Sequence, residues 1–281
     1  ELALDAAALE ALAGRRWRPL IDTAVAAPLL NTAPAAWATW RRGQDYYAEG
    51  ALVWLEADME IRARTKGKRS LDDFCRAFFG GPAGPPAVVP YTRGDVVAAL
   101  ARIAPLDWDG FLAERIDSVR VHAPLAGLEA AGWRLAFHDS SSDHLDALAA
   151  ESERADYRFS LGFRVGKDGR VPDVLPDSPA ARAGLPPGCR LVAVNGRAWS
   201  GTALEDALDA TRPVERDSLK AAAAGPRGQG EIELLASSGD FFRTYRLEYA
   251  GGRRVPFLER RPGVPDGLAG IGAPRTPRPR R

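Results

Sequence analysis

Residues Ser178-Pro179-Ala180-Ala181-Arg182-Ala183-Gly184-Leu185 spell a short helix with both ends written in. The Ser178 hydroxyl can accept an amide that the first turn leaves unpaired, Pro179 suits the first helical position, and Gly184 suits the left-handed stop. Strand-like stretches surround it. Phe159-Ser160-Leu161-Gly162-Phe163-Arg164-Val165 sets an apolar-Gly-apolar loop just before a strand; Lys167-Asp168-Gly169 is a turn, and residues 171–175 read as a second strand. Residues 190–194 form a third, closed by Asn195-Gly196, a strong tight-turn signal. Residues 204–210 predict a helix, and residues 231–235 and 242–247 a hairpin around Ser238-Gly239-Asp240.

The first half is written in a different period. After Asp45-Tyr46-Tyr47-Ala48-Glu49-Gly50, the run to Thr65 carries Ala48, Ala51, Leu52, Leu55 and Met59 at three- and four-residue spacings, one stripe of an amphipathic helix. Glu56, Glu60 and Arg64 form its expected polar face, with Asp58–Arg62 and Glu60–Arg64 able to pair one turn apart. Upstream, residues 2–12 predict a helix, Arg15-Arg16-Trp17-Arg18 a solvated connector, and residues 33–42 a segment whose Trp37 and Trp40 go to the core. Downstream, Ser70 and Thr92 cap two further helices, Pro82 to Pro90 is a loop, another helix covers 108–116, and residues 133–137 read as a strand. The sequence therefore predicts a mostly helical unit over 1–137, a polar linker over 138–156, a small β unit with two helices over 157–250 and a basic extension over 251–281: a multidomain α+β chain.

Charge and composition exclude several functions. With 281 residues and a net charge of +1, the chain carries no field that would steer it to nucleic acid or to an anionic membrane surface. Cys75 and Cys189 lie far apart, which gives no disulfide framework and leaves a cytoplasmic or a periplasmic setting open. No apolar run is long enough to span a bilayer. The extension holds eight arginines against Glu259 and Asp266, but without interleaved aromatics beyond Phe257 it makes a poor nucleic-acid arm. His122, His138 and His144 are the only histidines and no His-Glu-x-x-His occurs, so no helix can present two imidazoles to zinc on one face. The opening at Glu1, without Met or a signal pattern, is expected of a piece of something longer.

Two resemblances sharpen this reading. The order of elements in the second half, with Ser160-Leu161-Gly162-Phe163, Ser178-Pro179-Ala180 and Ala183-Gly184-Leu185, resembles a PDZ domain. That resemblance implies a peptide groove formed by Ser160, Leu161, Gly162, Phe163 and Arg164, with Leu204 and Leu208 on the opposite wall. Gly162 would let consecutive amides turn inward as a nest for a peptide carboxylate, and the following strand would offer a free edge to an extended peptide. The alternative is a groove that is empty or filled by the chain itself. Gly188-Cys189 departs from the Gly-Asp usual at that point of such domains, and Cys189 is not expected to be reactive.

The run from Tyr46 to Asp58, with Lys66-Gly67-Lys68-Arg69-Ser70-Leu71-Asp72-Asp73-Phe74, resembles the M61 family, the glycyl-aminopeptidase-like zinc metallopeptidases. Gly251 to Arg260 and Asp266 to Ile271 resemble the ending of such chains, which implies that residues to about 272 dock back on a domain. The resemblance implies the C-terminal part of a peptidase with a thermolysin-like catalytic domain. The zinc, its ligands and the general base would lie upstream of Glu1, so this chain alone would be inactive. The chemistry implied for the whole is attack of zinc-bound water on a peptide carbonyl near a free N-terminus. One catalytic residue carries over: Tyr47, whose phenol would donate to the forming oxyanion, with Tyr46 as its rival. Glu49 stands where related zinc aminopeptidases often have Lys. Expected partners are a peptide or protein substrate, a C-terminal or internal peptide in the groove, and the zinc-binding part of the same protein. The competing hypothesis is a non-enzymatic peptide-binding or scaffold protein.

Overall fold

The structure, a computed structural model, describes residues 1–33, 37–81, 84–85, 88–212 and 230–274. It is a multidomain α+β chain. The first part holds α1 (Leu2–Glu10), α2 (Leu20–Val25), α3 (Ala27–Leu30), α4 (Ala38–Arg41), α5 (Tyr46–Thr65), α6 (Leu71–Phe79), α7 (Arg93–Ile103), α8 (Trp108–Leu112), α9 (Ala126–Ala130) and β1 (Trp133–His138). After α10 (Asp143–Ser152) come β2 (Arg154–Tyr157), β3 (Phe163–Gly166), α11 (Pro179–Arg182), β4 (Arg190–Val194), β5 (Arg197–Ala198), α12 (Gly201–Asp209), β6 (Glu231–Ser238) and β7 (Phe241–Glu248). The chain closes with β8 (Val255–Arg260) and α13 (Gly267–Gly272).

The helices of the first part are arranged about α5. Val53, Ala57 and Ile61 pack with Phe74, Leu100, Trp108 and Phe111 on one side. Leu52 packs with Ala6, Leu9 and Leu128 on the other, where Leu135, Leu258 and Leu268 also reach it. The helix is covered on two sides, which corrects the simple stripe: Ala51 is exposed, whereas Glu56 is buried. Glu56 tolerates burial because Arg115 grips both its oxygens, at 2.9 and 2.6 Å. Asp58–Arg62 pairs at 2.7 Å, and Glu60 pairs with Arg64, both one turn apart as the spacing predicts. Trp108 is fully buried, its indole N–H donating to the Ala104 carbonyl at 2.9 Å.

Local signals were followed closely. Asp73 reaches back to the Ser70 amide at 2.9 Å, and Thr92 and Asp95 close the same box on α7. Asn195 and Gly196 both take positive φ, 49° and 78°, joining β4 to β5 in the tight turn expected of that dipeptide. Non-local partners overrode other expectations. Arg15 is buried by an ion pair, and Trp37 and Trp40 stand exposed, uncovered by any element among the described residues. Residues 171–175 make a single isolated bridge, Phe163↔Val174, in place of a strand. Residues 138–156, expected as a flexible connector, hold α10 and β2. Ser142 caps α10 by accepting from the Leu145 amide, and Asp143 and Asp146 suit its N-terminal dipole.

β1 and β8 pair antiparallel from Trp133↔Arg260 to His138↔Val255, so the chain leaves and re-enters the helical part side by side. The start of the basic extension is thus a docked strand and helix; residues 275–281, read as the free end, lie outside the described residues, as do 34–36 of the first tryptophan segment and 82–83 and 86–87 of the Pro/Gly loop. β6 and β7 form a long hairpin in the sheet β5-β4-β6-β7, and β2 and β3 make a separate two-stranded sheet.

Candidate functional site

Tyr46 and Tyr47 occupy the first turn of α5, rings 4.6 Å apart. Tyr47 is 71% exposed, whereas Tyr46 is half-buried. Partial desolvation and then the Tyr47 hydroxyl raise the Tyr46 phenol above its ordinary pKa. Behind them, α5 is anchored by charge. The Glu49 carboxylate is buried between Arg15 and Arg42, both of which donate to its Oε2. Arg15 also donates to the His122 carbonyl at 2.7 Å, and Arg42 to the Asp45 carboxylate at 2.6 Å and the Arg18 carbonyl at 2.9 Å. Burial pushes the Asp45 carboxyl up, against the lowering pull of Arg42. Glu49 is therefore the centre of a cationic cage, and a Lys here would bring a third positive charge into it.

No group of three or more His, Cys, Asp or Glu side chains is placed to hold a metal ion among the described residues. His138 stacks on Phe257 and the exposed His122 bonds Glu10 at 2.6 Å. Among the described residues, these side chains do not make a zinc site.

In the second part the groove residues come together around one core. Leu161, Phe163, Leu204 and Leu208 are buried in a single cluster with Tyr157, Val165 and Leu191. Ser160 is turned inward, its Oγ accepting the Arg254 amide at 2.9 Å. Gly162 sits at φ +100°, and the amides of Ser160, Leu161 and Gly162 converge on one acceptor. Their acceptor is internal: all three donate to the Tyr157 carbonyl, at 3.2, 2.8 and 2.9 Å. The β3 edge expected to be free is taken as well. β2 lies along it antiparallel, from Arg154↔Gly166 to Tyr157↔Phe163, and the bridge to Val174 occupies the other side of Phe163. Burial pushes the Cys189 thiol up to about 11, in keeping with an inert core cysteine.

Asp156 fastens β2 from outside. Arg158 donates to it through Nε and Nη2 at 3.0 and 2.7 Å, and Arg164 through Nε at 3.3 Å. Burial by itself would raise this carboxyl, but the Arg158 hydrogen bonds and the charges of Arg158 and Arg164 outweigh it and hold it below the usual range. Because the folded pKa is depressed, the stabilisation is complete above the unfolded value of about 3.9 and is lost as pH falls through the folded value. Scanning calorimetry between about pH 5 and about pH 2 should show wild type losing more stability than Asp156→Asn. Equal losses would mean that Asp156 does not contribute in this way.

Tyr157, Asp156 and Arg42 stand outside the expectations drawn from the sequence, and Arg15, expected in a solvated connector, is buried instead. The alternation of Arg154-Ala155-Asp156-Tyr157 was the available signal for β2, too short to stand out beside the serine-rich stretch before it.

Comparison of the sequence with family models and with curated proteins finds no match in either. Among solved structures, an aminopeptidase N family protein from Idiomarina loihiensis matches over 97% of this chain at 17% identity with a TM-score of 0.59. The chain spans 44% of that protein's length, and the likeness is one of fold. The HtrA3 PDZ domain bound to a phage-derived ligand (FGRWV) aligns over 50% of this chain and 98% of its own at 16% identity. Its TM-score of 0.20 is below that of a shared fold.

Proposed function

We propose that this chain is the C-terminal part of a zinc metallopeptidase of the glycyl-aminopeptidase type, acting near peptide N-termini and carrying a PDZ-type peptide-binding unit. The observation that carries this reading is the fold shared with an aminopeptidase N family protein over nearly the whole chain, helical and β parts together. On this reading the metal and its ligands belong to the part of the protein that this chain does not span. Tyr47 supports it from within the chain. Its phenol projects into solvent from a helix end fixed by the buried Arg15–Glu49–Arg42 cluster, and Trp17, Trp37 and Trp40 are exposed in the residues leading up to it. A rigidly based phenol with an open side can donate a hydrogen bond to a carbonyl oxygen that gains charge in the transition state.

Bound-zinc analysis and peptide hydrolysis, run on this chain and on one extended upstream, test the reading. Zinc and activity are expected only in the longer protein. There Tyr47→Phe should lower kcat by about 10²–10³, the scale for losing one oxyanion donor, while Tyr46→Phe leaves most of it. A longer protein that binds no zinc and cleaves nothing ends the peptidase reading. The groove around β3 and α12 favours the second reading, a non-enzymatic peptide-binding protein.

A further inference from the structure

The groove that the sequence reserves for a peptide is filled in the manner of a peptide. β2 runs antiparallel to β3 and its last residue, Tyr157, ends at the nest. The Tyr157 carbonyl takes the three converging amides that would otherwise meet a terminal carboxylate. Its ring is 2% exposed, in the cluster containing Leu161, Phe163, Leu204 and Leu208. Ala155, two residues back, packs on the same cluster, as the two-residue period of a strand requires.

Two features leave β2 open to withdrawal. Among the described residues its ladder partner is β3 alone. It also borders a cleft of about 400 Å³, shared with Leu145 of α10 and Glu205 of α12, so it is not enclosed. The Tyr157 hydroxyl is buried close to Glu205 of α12, so this helix flanks the ring that fills the pocket.

We infer that β2 is an internal ligand of the groove between β3 and α12, and that an extended peptide ending in an aromatic residue enters this groove only when β2 withdraws. The inference rests on the peptide-binding reading of this unit and not on the peptidase reading. Residues 158–162 tether β2, which gives it an effective concentration in the millimolar range, so a micromolar external peptide cannot displace it efficiently. An external ligand therefore sees the groove only through the fraction of molecules in which β2 has left.

The probe is a synthetic peptide Glu-Arg-Ala-Asp-Phe with a free C-terminal carboxylate, titrated against the full chain and two variants. Ala155→Pro removes an amide opposite Val165 and disfavours the strand. Asp156→Asn loosens β2 without altering its backbone, and serves if the proline variant is unfolded. Affinity should rise at least about tenfold over wild type with Ala155→Pro and by a smaller factor with Asp156→Asn. Hydrogen exchange of wild type at saturating peptide should show lost protection over 154–157, while the Leu161 and Gly162 amides stay protected by the incoming carboxylate. Equal affinities for wild type and variants, no binding by any of them at millimolar peptide, or retained protection of 154–157 in the bound state would each overturn the inference. All of these leave the peptidase reading where zinc and hydrolysis put it.

Discussion

Glu49→Ala should lower the stability of the helical part by about 3–5 kcal/mol, the scale for removing one partner of a buried ion cluster. Arg15 and Arg42 are 1% and 3% exposed, and both direct a guanidinium N–H at the same carboxylate oxygen. Deleting that carboxylate leaves two cations in a site that water does not reach. Asp45 can still pair with Arg42, but Arg15 is left with the neutral His122 carbonyl. Glu49→Gln keeps an acceptor and should cost less than Ala. Glu49→Lys should cost most, because Arg15 and Arg42 already supply the positive charge here. Urea unfolding followed by tryptophan fluorescence measures this, since Trp54 and Trp108 lie in or against the core beside α5. A loss below about 1 kcal/mol for Glu49→Ala would show the cluster to be no stronger than an exposed pair.

The same cluster shows where sequence reading reaches its limit. The caps at Ser70, Thr92 and Ser178 and the Asn195-Gly196 turn were legible because each is decided within four residues. Arg15 could not be read in that way. Its partners are Glu49 and His122, and nothing near Arg15 distinguishes a buried guanidinium from a solvated one. Trp37 and Trp40 failed for the opposite reason, since apolar character predicts burial only if another element arrives to cover it. Around β3, Leu161, Phe163, Leu204 and Leu208 share one buried cluster, as their motif and helix suggest. The groove's occupant could not be assigned, because Tyr157 belongs to a four-residue strand whose identity depends on pairing with β3.

Gly162→Ala tests the groove at its least forgiving atom. A methyl group placed there would lie 2.0 Å from Ser178 Oγ and 2.1 Å from Ser178 Cβ, far inside contact distance. The backbone at φ +100° is itself one that a residue with a Cβ rarely adopts. Ser178 has little freedom to retreat: its hydroxyl donates to the Leu175 carbonyl at 2.6 Å and accepts the Ala181 amide at 3.1 Å as the cap of α11. Moving it would therefore give up the cap, a loss of about 1 kcal/mol. Backbone strain adds about 1–3 kcal/mol, and overpacking a further 1–3. Together these predict at least about 3 kcal/mol of destabilisation in the β unit. Ser178→Ala alone should lose only the cap and the Leu175 bond. In the double variant the Oγ contact is gone but the Cβ contact remains, so most of the Gly162→Ala cost should persist. If the double variant instead recovered wild-type stability, the glycine would matter for the hydroxyl alone. If it does not, Gly162 is required for the close approach of the loop to the α11 cap, and the converging amides that grip Tyr157 follow from that approach.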